Sequence, residues 1–203
     1  MIKPLVDHRD FRLVFLSRFF FQLGIATVNQ FLQYWIGDCV QTNGMPATQA
    51  VSMALIPLLV LAPISAVLIP KKKRKIVVYF SACIMIATCL LLEVATAFWT
   101  AMFIGGLFGL GYGPFISAEF AMLMDVLPSE EEAAKDIALW HSAMVLPQIF
   151  ATPAAGWLLD YYQGIGNSLH PPVVCLGYKV TFGLCVVYFV TGTEITRRIR
   201  KIE

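Results

Sequence analysis

The sequence predicts an all-α membrane protein of six transmembrane helices with both termini on the cytoplasmic side, and three observations predict it. Of 203 residues, 58% are hydrophobic and 14% charged, against about half and a quarter in ordinary soluble domains. The apolar residues gather into six runs, each near the ~20 residues that a helix needs to cross hydrocarbon. The basic residues fall almost wholly into the connectors of one side. These grounds argue against a soluble enzyme, and a net charge of +2 gives no reason to expect a nucleic-acid partner.

The runs lie at about 12–36, 48–69, 76–98, 100–124, 137–159 and 172–193, within one expected domain of residues 1–203. Asp7, His8, Arg9 and Asp10 precede the first run without a small-residue cleavage site, so that run is expected to direct insertion itself. Thr42-Asn43-Gly44-Met45-Pro46 has turn chemistry and separates the first two runs. The second carries Pro57 and Pro63 and ends at the basic stretch Lys71 to Lys75. The third and fourth together are twice a membrane's thickness, so an aromatic interfacial turn is expected at Phe98-Trp99-Thr100. Gly105, Gly109 and Gly113 give the fourth run a small-residue face, suited to packing within the bundle or against another copy. Pro128-Ser129-Glu130-Glu131-Glu132 follows, then a fifth run with Pro147 and Pro153, then a connector from Gln163 to Pro172. The five cysteines are scattered, without metal or redox spacing, and read as small apolar residues. Pairing of Cys39 with Cys175 near one membrane face is the minority reading.

Orientation follows from Lys3, Arg9 and Arg12 before the first run, Lys71 to Lys75 after the second, Lys135 before the fifth, and Arg197, Arg198, Arg200 and Lys201 after the sixth. These are 13 of the 15 basic residues, all on one side, which the positive-inside rule makes the cytoplasm.

Polar residues within the runs carry the functional information, because in hydrocarbon each needs a partner or water. At 100° per residue, Arg18, Gln22, Asn29 and Gln33 fall within about 60° on the first run. His141, Gln148 and Thr152 form a similar stripe on the fifth, and Tyr112 and Glu119 lie seven apart on the fourth. Three polar faces are expected to converge on one aqueous cavity; helix-to-helix hydrogen bonding in a closed bundle is the alternative. Asn29, Gln33, Tyr112 and Gln148 are the candidate solute ligands. Arg18, Glu119 and His141 sit about 7 to 9 Å inside the cytoplasmic boundary by helix rise. With Asp125 and Asp136 in the adjoining loop region, they are the candidates for gating or for carrying a coupling ion. Glu93 and Lys179, near the outer ends, read as a structural pair or as snorkelling side chains.

The segment Gly111-Tyr112-Gly113-Pro114 to Asp125-Val126-Leu127-Pro128, with Ala134-Lys135-Asp136, Leu146-Pro147-Gln148, Pro153, Gly156 and Asp160, resembles the tenth and eleventh helices of major facilitator superfamily transporters. The likeness is to the branch that includes glycoside and sucrose-type cation symporters. Asp7-His8-Arg9-Asp10-Phe11-Arg12-Leu13 running into Arg18 is similar to the approach to that family's seventh helix. The basic loop from Ile69 to Lys75 keeps the family's charge but lacks its Gly and Asp. The resemblance implies the C-terminal six-helix half of such a bundle. It also implies secondary active transport of a small polar solute, such as a sugar, by alternating access. The implied partners are the lipid bilayer, the solute, a proton or other cation, and either an N-terminal six-helix half or a second copy of the chain. A non-transporting six-helix scaffold or partner subunit is the alternative. No cofactor or metal is expected, and without a GxSxG elbow, an HExxH motif or a paired intramembrane aspartate the chain does not read as an enzyme.

Overall fold

The computed structural model describes residues 3–42, 44–68, 73–128 and 132–202. Asn43, Lys71, Lys72, Ser129, Glu130 and Glu131, which mark turns in the sequence, lie outside the described residues. The rest forms a short α1 (Lys3–Asp7) and six long helices: α2 (Arg9–Cys39), α3 (Ala47–Leu68), α4 (Arg74–Val94), α5 (Phe98–Val126), α6 (Ala133–Ser168) and α7 (Leu176–Arg197). Each of α2 to α7 is long and apolar enough to cross a membrane. The prolines at 57, 63, 114, 147 and 153 all lie inside helices. This is tolerated in membrane bundles because neighbouring groups re-satisfy the freed carbonyls. The isolated turn α1 was not anticipated.

Three boundaries differ from the sequence expectation. The chain breaks at Ala95-Thr96-Ala97, and Phe98 and Trp99 instead open α5. Phe98 is needed in the core, whereas the small residues fit a tight turn whose Thr96 carbonyl accepts from the Gln41 N–H at 2.8 Å. At its far end α6 continues through Gln163 to Ser168, where a connector is expected. The Gln163 side chain donates to Asn167 at 3.1 Å and accepts from the Gly177 N–H at 3.2 Å, so polar residues that resemble a loop are satisfied within the helix and across to α7. The chain leaves the helix at Leu169, just before Pro171 and Pro172, so α7 begins at Leu176, later than expected. At 1.5 Å per residue, the 36 residues of α6 span about 54 Å, well beyond the ~30 Å hydrocarbon layer.

Packing runs from α3 to α5, α5 to α4, α4 to α7, and α7 to both α2 and α6, which also touch each other. The glycine stripe of α5 is used inside the bundle, against α3. A Cβ at Gly109 would stand 2.9 Å from the Leu58 Cα, and one at Gly113 would overlap the Ala62 carbonyl. Gly105 lies likewise against the Ala54 carbonyl. This close approach gives helices in lipid the dispersion contact that hydrophobic burial cannot supply there. On the other side, Gly24 of α2 receives the Phe189 ring and Gly192 of α7 receives the Phe21 ring. Phe21 stacks obliquely on Phe115 with ring centroids 4.3 Å apart, joining α2, α5 and α7 at the centre.

The two ends of the bundle are clasped differently. At the end that holds the termini, Asp10 accepts from the backbone of Arg200 and Lys201, Arg74 pairs with Asp125, and Lys75 donates to the Ile199 carbonyl. At the opposite end Cys39 and Cys175 form a disulfide, which corrects their reading as small apolar residues; Cys83, Cys89 and Cys185 are free thiols. Beside the disulfide, the Tyr178 hydroxyl donates to the Asp38 carboxylate. Two polar side chains on different helices therefore meet there, which sequence spacing alone does not show. Glu93 and Lys179 are not within ion-pair distance of each other.

Two measurements check this packing. Gly109→Ala is expected to destabilise the detergent-solubilised protein by about 1–3 kcal/mol through overpacking. Gly164→Ala, where an added Cβ meets nothing within 4 Å, should stay within about 0.5 kcal/mol of wild type. The disulfide closes a separation of 136 residues. Replacing Cys39 and Cys175 together with serine should cost about 2–5 kcal/mol and slow the unfolded chain's migration on a non-reducing gel.

Candidate functional site

The polar stripes of α2, α5 and α6 meet at one recess. Residues spaced four, three and four apart turn one face of a helix inward. Gln22, Ala26 and Asn29 of α2 do this from one side, and Met144, Gln148 and Thr152 of α6 from the other. Tyr112 of α5 closes the back, its ring stacked on Phe108 at 6.0 Å. The recess has a volume of about 250 Å³ and includes Ile25 and Gln30 on its wall. A larger cavity of about 610 Å³ lies between α3, α4 and α5. Its walls are mostly apolar, and the charged Arg74 on its rim is already tied to Asp125. The smaller recess is therefore the better candidate for a polar solute.

Arg18 and Glu119 lie beside the recess. Arg18 Nη1 donates to Glu119 Oε2 at 2.7 Å, with the two side chains 4% and 2% exposed. The guanidinium lies 3.6 Å from the centroid of the Trp140 ring, a cation–π contact, and Nη2 reaches Met144 Sδ at 3.4 Å. Tyr112 is within electrostatic reach of both charges. The pair is joined by a single hydrogen bond although arginine and carboxylate can form two in parallel. Arg18 Nε and Glu119 Oε1 are buried without a partner, as are Gln22 Nε2 and Trp140 Nε1. Any such group costs about 1–3 kcal/mol while it is unmet.

The remaining sequence candidates are dispersed. Gln33 is exposed on α2 and is not on the recess wall. His141 is exposed, its ring 5.2 Å from Trp140, and it makes no hydrogen bond or ion pair among the described residues. Asp125 serves the Arg74 clasp. Asp136 is buried at the start of α6, within electrostatic reach of His8, Glu132 and Lys135. Trp140, which the sequence reading passed over for its neighbour, provides the surface on which Arg18 rests. A stripe drawn from polar residues alone cannot select it. Its signal was an aromatic four residues from Asp136 and from Met144, on a face shared with buried Leu139 and Ala143.

Comparison with known proteins agrees with this architecture. The chain resembles the crystal structure of tetrameric PepTSo2 with a TM-score of 0.76 at 16% identity, over 93% of this chain and 40% of that one. It also resembles a structure described as giving insights into substrate recognition in proton dependent oligopeptide transporters, with a TM-score of 0.77 at 18% identity, over 94% and 41%. At these identities the likeness is one of fold, and the chain spans about two fifths of either protein. No curated protein matches it in sequence. The sequence family described as Major Facilitator Superfamily matches residues 14–196. With six spanning helices, this match over most of its length establishes that the chain belongs to the major facilitator superfamily and is an integral, multi-pass membrane protein.

Proposed function

We propose that the chain forms one wall of a secondary active transporter, moving a small polar solute by alternating access with a proton as the coupling ion. The observation that carries this reading is that Gln22, Asn29, Tyr112, Gln148 and Thr152, from three separate helices, border one recess beside a buried ion pair. A closed bundle would spend such groups on each other. Here Asn29, Gln30 and Gln148 remain exposed on an open wall, as a surface facing a solvated pathway requires. Amide and phenol groups can donate and accept, which suits a solute rich in hydroxyls or carbonyls, sugars included. The family match supports transport without selecting the glycoside or sucrose branch. The one structural neighbour described as proton dependent supports a proton over another cation.

The second wall belongs to a complementary six-helix half or a second copy of this chain, and the termini face the cytoplasm. Support for that orientation comes from Arg9, Arg12, Lys73, Lys75, Lys135, Arg197, Arg198, Arg200 and Lys201, all at the terminus-bearing end. Glu119 carries the coupling proton: protonation removes the charge that Arg18 holds, and the pair between α2 and α5 loosens.

In proteoliposomes containing the full-length protein, Glu119→Gln should abolish accumulation driven by a proton gradient while solute exchange persists. Accumulation at the wild-type level would remove the coupling role. Gln148→Leu should weaken solute binding about two- to tenfold, the equivalent of one lost hydrogen bond. The same change at Gln33 should leave it unaltered.

A further inference from the structure

We infer that the cavity between α3, α4 and α5 binds an anionic phospholipid from the leaflet at the terminus-bearing end, with an acyl chain in the cavity and the phosphate on Lys73 and Arg74. This goes beyond the transport reading and does not depend on which solute is moved.

Two observations carry the inference. The first is the cavity's place and lining. At 100° per residue, Pro114, Ser117, Ala118 and Ala121 of its wall lie about 140–240° around α5 from Tyr112 of the recess, so one helix turns a different face to each. α3 and α4 each pack on α5, and the cavity occupies the space between Ala66 and Val67 of α3 and Val77 of α4. From Ala121 back to Pro114 it follows α5 for about 10 Å away from the terminus-bearing end. Val67, Ser117 and Phe120 are exposed along it, so the wall is open to the surroundings. A mostly apolar space of about 610 Å³ offers water few partners, and left empty it forfeits the dispersion contacts of the residues that line it. An acyl chain is apolar, flexible enough to follow such a wall, and already present beside it in the bilayer.

The second is charge at the mouth. Arg74 lines the cavity at the first turn of α4. Its Nη1 makes both the contact to the Ala121 carbonyl and the ion pair with Asp125. Among the described residues, Nη2 and Nε make no hydrogen bond, and the side chain is 31% exposed. The guanidinium is therefore held in place through one nitrogen with its other donors left for a second acceptor, and the planar fork suits a phosphate. Asp125 offsets one positive charge, Lys75 is directed to the Ile199 carbonyl, and exposed Lys73 beside Arg74 leaves one cation in excess. A headgroup with one net negative charge balances it, whereas a zwitterionic headgroup does not. Basic pockets between spanning helices at a membrane face recognise anionic headgroups in this way.

The test titrates the full-length protein in mixed micelles with dioleoyl-phosphatidylglycerol, dioleoyl-phosphatidylcholine or glycerol phosphate, and counts bound molecules by native mass spectrometry. The first phosphatidylglycerol is expected to bind at least about fivefold more tightly than the first phosphatidylcholine, the contribution of about one basic side chain at an anionic headgroup. Lys73→Gln should remove most of that preference. Ser117→Phe, which places a ring in the cavity from an exposed position, should weaken first-site binding of both lipids. Val187→Phe, at an exposed apolar position of α7, should alter neither. Arg74→Gln alone would strand Asp125 and risks unfolding, so it is combined with Asp125→Asn; that variant should lower phosphatidylglycerol binding with phosphatidylcholine unchanged. Equal first-site binding of the two lipids, a preference that survives both charge variants, or binding indifferent to Ser117→Phe overturns the site. Glycerol phosphate competing at the affinity of phosphatidylglycerol also overturns it, in favour of a soluble anion. Failure of either lipid to bind overturns it as well, and would mean that protein covers the cavity.

Discussion

A buried ion pair organises this six-helix bundle. Arg18 and Glu119 are placed by α2 and α5 in a mostly apolar interior, where an unpaired charge would cost several kcal/mol. The pair therefore determines how those two helices face each other, and everything near it is arranged to tolerate it. Trp140 offers its ring to the guanidinium, Met144 offers a soft acceptor, and Tyr112 stands between the pair and the recess. The pair is joined by a single hydrogen bond, with Arg18 Nε and Glu119 Oε1 buried and unmet.

Around that centre the bundle combines tight and loose seams. The contact between α3 and α5 is a glycine-to-backbone approach with no room for a side chain, and α2 meets α7 through reciprocal glycine and phenylalanine contacts. Ser17 adds a hydroxyl contact to Thr196 at 2.6 Å across the same seam. By contrast α6 is mostly exposed, carries two internal prolines and presents the polar face that borders the recess. The disulfide and the Tyr178–Asp38 hydrogen bond hold α2 to the chain entering α7 at one end, while Asp10 and the C-terminal backbone hold it at the other. The recess sits between these fixed ends, so its wall residues are presented by helices whose ends are anchored.

Much of this was legible in the sequence, for a physical reason. Hydrocarbon imposes a length on each apolar run and a cost on each polar side chain within it, so six helices and the polar faces of α2, α5 and α6 can be read from residue types alone. The angular argument carried Gln22, Asn29, Gln148 and Thr152 to one recess. It could not separate Gln33, which lies on the same face of α2 one turn beyond the recess, from Asn29. It also passed over Trp140, because a stripe drawn from polar side chains leaves an aromatic ring out. Pairing of Cys39 with Cys175, and of Asp38 with Tyr178, depends on the relative placement of helix ends 136 and 140 residues apart. Periodicity holds no information about that placement. The extension of α6 through Gln163 was hidden because its polar residues find their partners in α7, a tertiary effect that overrides loop-like composition.

The central claim is that three hydrophilic helix faces share water, and cysteine accessibility tests it most directly. With Cys83, Cys89 and Cys185 replaced by alanine, single cysteines at positions 29, 148 and 152 are exposed to a membrane-impermeant maleimide in intact proteoliposomes. A cysteine at Val187, an exposed apolar position of α7 away from the recess wall, is the comparison. The account requires rapid labelling of the three recess positions and none at 187. Recess cysteines as unreactive as the one at 187 would mean that the wall is dry, and the carrier reading would fail.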